Sequence, residues 1–232
     1  VGRSTESKFS SKKPRQVRDA EATKKQILDA AEAEFARNGL QGARTEAIAR
    51  GAGVTTAMIY YYFQSKEGLY EAVLQRPAVE MHEGFEQLNL DRFPPEEALK
   101  MLVKEAIAYE AAHPHRGMLW FQEANQNQGK YFKQGNWQEN FSYLINILER
   151  GMAEGCFRQI DPFLTTLHII GVCNMYFNAY ENIKHTRPDL QLLSPEMIEQ
   201  HTQAAVNFIL AGVQAIKVNN ISKESNANSD DR

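Results

Sequence analysis

Between Arg44 and Lys66 the chain reads RTEAIARGAGVTTAMIYYYFQSK. The side chains able to do chemistry there are hydroxyls and cations: Arg44, Thr45, Thr55, Thr56, Tyr60, Tyr61 and Lys66. Such groups near helix N-termini donate hydrogen bonds to phosphate oxygens and base edges, and the Ala57 methyl between them suits a thymine methyl. The run lacks the acid–base pair, nucleophile or metal cluster that an enzyme site needs. Its chemistry points to double-stranded DNA.

The rest of the chain adds little reactive chemistry. His113 and His115 flank Pro114 in a turn, and no further acid or histidine stands at metal-ligand spacing, so neither a metal nor another cofactor is expected. Cys156 and Cys173 have no disulfide-rich context and read as free thiols of a reducing cytoplasm. No nucleophile–base pair or phosphate loop supports catalysis, and the protein is not expected to be an enzyme.

Helices must position the hydroxyl-rich run. From Thr23, Ile27, Leu28, Ala31 and Phe35 give one apolar face, with Asn38-Gly39 as the stop. Thr45 is the expected N-cap of a second helix carrying Ile48 and Ala49 inward. Gly51 and Gly53 bracket a break, with Val54 as a buried plug. Thr55 caps a third helix to about Tyr61, and Ser65 a fourth with Leu69, Tyr70, Val73 and Leu74 as its stripe. Further helices are predicted at about 77–89, 95–112, 115–127, 136–153, 162–185 and 195–217. Asp161-Pro162 and Ser194-Pro195 each place a capping residue before a first-turn proline. No alternating β-type run is long enough for a sheet, so the fold class is all-α.

Charge is divided along the chain. Residues 1–66 carry 12 Lys and Arg against 7 Asp and Glu, whereas the whole chain has a net charge of −3. A basic first third on an acidic remainder fits a polyanion-binding head and a body that leaves the polyanion alone. Residues 1–21 are polar and basic and read as an extended arm, either a solvated leader or a source of further DNA contacts. Neither a signal peptide nor a membrane span is expected. Thr165, Thr166, His168, Asn174 and Asn178 interrupt the apolar run 163–180, which reads as a central buried helix.

Residues 23 to about 75 resemble the N-terminal DNA-binding domain of the tetracycline-repressor (TetR) family. The resemblance rests on ILDAAEAEFARNG, Thr45-Glu46-Ala47-Ile48-Ala49, Gly51-Ala52-Gly53-Val54, Ile59-Tyr60-Tyr61-Tyr62-Phe63 and Ser65-Lys66-Glu67 in that order. It implies that the third helix enters the major groove, with Thr55, Thr56, Ala57 and Tyr61 towards the bases. Tyr60, Thr45, Lys66 and Arg44 would then grip phosphates, while Tyr62 and Phe63 pack. The chain departs from the family where Thr55-Thr56-Ala57-Met58 follows the valine, because family members often carry a Lys or Arg there. The base-reading turn has no cation, which leaves the operator sequence open.

The same resemblance implies a helical body that binds a small effector and forms the dimer. Homodimerisation is expected through the helices near 162–185 and 195–217, the latter with Met197, Ile198, His201, Ala204, Ala205, Phe208, Ile209, Gly212 and Ile216 along one side. Effector candidates are Trp120, Phe121, Glu123, Trp137, His168, Asn174, Phe177 and Asn178, although an ordinary aromatic core has a similar composition. The expected organisation is an arm (1–21), a helix-turn-helix domain (22–76), an effector-binding and dimerisation domain (77–218) and a polar tail (219–232). The expected function is a ligand-released repressor binding a pseudo-palindromic operator. A helical adaptor that binds another protein through the body is the alternative.

Overall fold

A computed structural model describes residues 15–113, 116–132 and 137–215. In chain order the helices are α1 (Arg15–Gly42), α2 (Thr45–Ala52), α3 (Thr56–Phe63), α4 (Lys66–Gln87), α5 (Pro95–Ala112), α6 (Arg116–Asn127), α7 (Trp137–Ala153), α8 (Pro162–Asn178), α9 (Tyr180–Ile183) and α10 (Pro195–Val213). A 3-10 turn, Leu90–Arg92, precedes α5. Among the described residues there is no strand, only an isolated bridge between Phe157 and Gln214.

The helices form two compact units, which do not follow the linear division expected from the sequence. Of the described residues, the first unit takes 15–80, 113 and 116–132, the second 81–112 and 137–215. The first therefore includes α6, which the sequence reading assigned to the body.

In the first unit, Ile27, Ala31 and Phe35 of α1 meet Ile48 and Ala49 of α2, Ile59 of α3, Leu69, Tyr70 and Val73 of α4, and Leu119 of α6. The α1 helix begins at Arg15, earlier than expected, because residues 15–22 are mostly good helix formers. The first fourteen residues of the expected arm lie outside the described residues, as does the tail 219–232. Gly39 breaks α1 at φ 65°, where the sequence stop was expected, and the helical turn resumes to Gly42. Pro77 does not start a new helix. It lies inside α4, with Arg76 bonded to Glu80 across the same turn at 2.8 Å.

In the second unit α5 packs against α7, α8 and α10 around Leu99, Leu102, Ile107, Leu148, Phe157, Ile169 and Ile209. Gly151 is required there, since a methyl at its Cα would lie 1.9 Å from the Phe157 ring. Asp161 and Ser194 cap α8 and α10 as expected, accepting from the Leu164 and Met197 amides. The α8 helix is not buried on all sides. Thr166, Ile169, Cys173 and Phe177 face the core, whereas Phe163, Leu164, Leu167, Gly171 and Met175 are exposed. It ends at Asn178, and only the short α9 lies in the remainder of the expected 162–185 helix. The α10 helix ends at Val213 because the Ala215 amide turns to the Cys156 carbonyl. The Ile216 position expected on its stripe lies outside the described residues.

Candidate nucleic-acid interface

The turn between α2 and α3 is set by Gly53, whose left-handed φ of 67° returns its amide to the Ala49 and Arg50 carbonyls. A side chain with a Cβ adopts that conformation at a cost, so the glycine shapes the turn. Thr55 follows as N-cap of α3, its hydroxyl accepting from the Met58 amide at 3.4 Å. Ile59 is the buried anchor of α3 and fixes which side faces outward. At the far end Gln64 terminates α3 at φ 67°, and Ser65 caps α4 through the Gly68 amide at 2.9 Å. The helices meet so closely there that a methyl on Gly68 would lie 2.3 Å from the Phe63 carbonyl oxygen.

This frame brings the expected DNA-facing residues into one unit. Thr55 and Ala57 are exposed and Thr56 half-buried at the start of α3. Tyr60 is 47% and Tyr61 80% exposed, an unusual expense of aromatic surface unless something covers it. Tyr62 and Phe63 are half-buried against the core, as expected of packing residues. The Tyr61 ring stands edge-on to Tyr62, with centroids 5.1 Å apart, and Lys24 of α1 lies 5.8 Å from the Tyr62 ring centre. Lys66 opens α4 with its ammonium donating to the Gln41 carbonyl at 3.4 Å.

At α2 the capping residue is Arg44, not Thr45. Arg44 is extended and exposed, and its amide donates to Glu34 Oε1 at 3.1 Å. Thr45 is the first helical residue and is buried, because it falls on the same face as Ile48 and Ala49. Half-buried Val54 is less of a plug than expected.

Behind this surface lies a charge cluster that no local pattern announced. Arg116 of α6, its side chain 3% exposed, bonds to Glu32 of α1 at 3.0 Å and to Glu80 of α4. Arg76 reaches Asp29 at 2.6 Å and Glu80 at 2.8 Å. Burial pushes the Glu80 carboxyl up, but hydrogen bonds from Arg116 and Arg76 outweigh it and hold the group below the usual range. Burial opposes the Arg76 charge, and the hydrogen bonds it donates to Asp29 and Glu80 more than restore it. Further along α6, Gln122 donates to the Ala36 carbonyl at 2.7 Å. Glu123 accepts from the Tyr131 amide at 2.7 Å. The α6 helix is thus keyed to α1 and α4 along one face.

The effector candidates are divided between the two units. Trp120, Phe121 and Glu123 belong to α6 in the first unit, and Trp137, His168, Asn174, Phe177 and Asn178 to the second. Phe177 is buried in the core of the second unit, edge-on to His201 at 5.9 Å. His168 lies on the exposed side of α8, and Asn174 and Asn178 are half-buried, so water can serve amides that a central helix would have left wanting. Among the described residues no group of His, Cys, Asp and Glu could hold a metal ion. No described helix is long and apolar enough to cross a membrane.

Residues 27–73 match the profile of bacterial regulatory proteins of the tetR family, and residues 95–209 match the tetracyclin repressor-like C-terminal domain. The chain is 33% identical over 175 residues to the HTH-type transcriptional repressor NicS of Pseudomonas putida, covering 73% of this chain and 81% of that one. It is 29% identical over 147 residues to the HTH-type transcriptional repressor SCO4008 of Streptomyces coelicolor, covering 63% and 73%. The fold matches that of the ketosteroid transcriptional regulator KstR2 of Mycobacterium tuberculosis with a TM-score of 0.61 at 20% identity, over 83% of this chain and 95% of that one. These relatives do not favour the adaptor alternative. The chain belongs to the TetR family of ligand-responsive, DNA-binding transcriptional regulators.

Proposed function

We propose that the protein is a homodimeric repressor that reads a pseudo-palindromic operator with α3 and is released by a small effector. The observation that carries this reading is the exposure of Tyr60 and Tyr61 on a short helix whose opposite side is pinned by Ile59. In this reading Tyr60, Lys66, Arg44 and the N-terminus of α2 at Thr45 hold phosphates. Because Thr45 is buried, its contribution comes through the helix end more than through a reaching hydroxyl. Thr55, Thr56, Ala57 and Tyr61 meet the base edges, and hydroxyl and methyl contacts replace the guanidinium-to-guanine fork that a basic residue would supply.

Dimerisation is assigned to the outer faces of α8 and α10. Phe163, Leu164, Leu167 and Met175 on α8, with Ala204, Phe208 and Gly212 on α10, are exposed, Phe208 by 70%. An apolar area of this kind is covered in a stable oligomer, and the small residues let a partner helix come close. The opposite side of α10, including Ala205 and Ile209, already packs in the core of its own unit. Only part of the stripe expected from the sequence is therefore offered to a partner. We place the protein in the cytoplasm and assign it no catalytic role.

The test is selection of binding sequences by the full chain from a random duplex library. Enrichment of an inverted repeat with half-sites about one helical turn apart supports the reading. Retention of duplexes without an enriched motif contradicts it.

A further inference from the structure

Some cations of the first unit are committed within the fold and others are not. Arg76 and Arg116 are held by Asp29, Glu32 and Glu80. Lys24 of α1 is exposed, and no ion pair among the described residues includes it. Even the acids that precede it on α1, Asp19 and Glu21, leave its ammonium unpaired.

The place of Lys24 on α1 explains where that ammonium goes. It lies three, four and seven residues before Ile27, Leu28 and Ala31, so it shares the face that packs in the core. Ile27 is the first residue of that core. One turn before it, a lysine stem lies along the apolar edge and keeps its head in water. The ammonium comes to rest 5.8 Å from the centre of the Tyr62 ring. Tyr62 is half-buried on α3, and its ring meets that of Tyr61 edge-on, with centres 5.1 Å apart. Tyr61 itself is 80% exposed. A cation from α1 thus stands beside the tyrosines of α3, a helix that contains neither Lys nor Arg.

An aromatic ring and a carboxylate hold a cation differently. A carboxylate neutralises it and must be displaced by an incoming phosphate. A ring steers the ammonium and leaves its charge intact. Lysine is also a compact point charge without the planar fork of arginine, which suits it to a phosphate oxygen.

We infer that Lys24 is a DNA-phosphate contact supplied by α1 and held beside α3 by the Tyr62 ring. It provides attraction that the cation-free base-reading turn lacks, and it adds affinity without reading sequence. The assignment rests on the reading of α3 as the DNA-facing helix.

The test is the salt dependence of duplex binding by the full chain, comparing wild type, Lys24→Gln, Lys24→Arg and Lys25→Gln. Gln and Arg are both good helix formers, so α1 is kept. Lys24→Gln should weaken binding about five- to ten-fold in about 0.1 M salt and lower the slope of log affinity against log salt by about 0.9. Lys24→Arg keeps the charge and should keep the wild-type slope. Lys25→Gln removes an exposed charge turned about 100° around α1, and should leave the slope within about 0.3 of wild type. Duplexes selected by Lys24→Gln should carry the wild-type motif, because a lost phosphate contact weakens all sequences alike. An unchanged slope in Lys24→Gln, an equal loss in Lys24→Arg or Lys25→Gln, or a relaxed motif would overturn the assignment. Where the wild type selects a motif, such a result leaves the operator reading standing. A wild type that selects none overturns both.

Discussion

The two units are held together by different physics. The first joins its helices with directional polar contacts: Arg116 and Arg76 against Asp29, Glu32 and Glu80, and Asn127 of α6 against Tyr70 of α4. The second relies on a larger apolar core around α5, and much of its remaining apolar surface on α8 and α10 faces outward. Directional contacts fix one geometry, which suits a surface that must match the spacing of phosphates. Non-directional packing tolerates adjustment and leaves an adhesive face, which suits dimerisation.

The largest expected effect comes from breaking the keyed unit at its centre. Arg116→Ala would leave Glu32 and Glu80 to Arg76 alone, costing about 3 kcal/mol in urea unfolding. Retention of wild-type stability would mean that the cluster is incidental. In the apolar unit the matching lesion is steric. Gly151→Ala drives a methyl into Phe157 and should cost about 1–3 kcal/mol. A smaller loss, about 1 kcal/mol, is expected from Thr55→Ala, which removes the cap of α3, and weaker duplex binding should accompany it.

The smallest effect is one of pH. Arg116 and Arg76 hold Glu80 below its unfolded value, so the folded chain binds fewer protons near the glutamate range. The stability this contributes is present above the unfolded value, about 4.3, and is lost as pH falls through the lower folded value. The urea midpoint should therefore drop on acidification below about pH 4, less steeply in Glu80→Gln than in the wild type. Because Glu80 is about one-third exposed, solvent screening keeps this effect modest.

Local features were the ones legible beforehand. The α3 tyrosines, the Gly53 turn and the caps at Thr55, Ser65, Asp161 and Ser194 depend on residues within four positions of one another, so spacing reveals them. Arg116 gives no such signal, since Glu32 and Glu80 lie 84 and 36 residues away in the chain. Pro77 misled because a proline that usually starts a helix is here carried within one. The α8 run misled because an apolar sequence does not say whether its second face meets its own core or solvent. Aromatic composition grouped Trp120 and Phe121 with Trp137 and Phe177, although the two pairs belong to different units.

The central claim is that the α3 surface and the start of α4 grip a DNA backbone. It is tested most directly by the salt dependence of binding to a selected duplex, comparing the wild type, Lys66→Ala and Tyr60→Phe. Lys66→Ala should reduce the slope of log affinity against log salt by about 0.9, because one phosphate-neutralising cation is gone. Tyr60→Phe should weaken binding at every salt concentration with the slope unchanged, because a neutral donor releases no counterion. Wild-type affinity and slope in both variants would contradict the account.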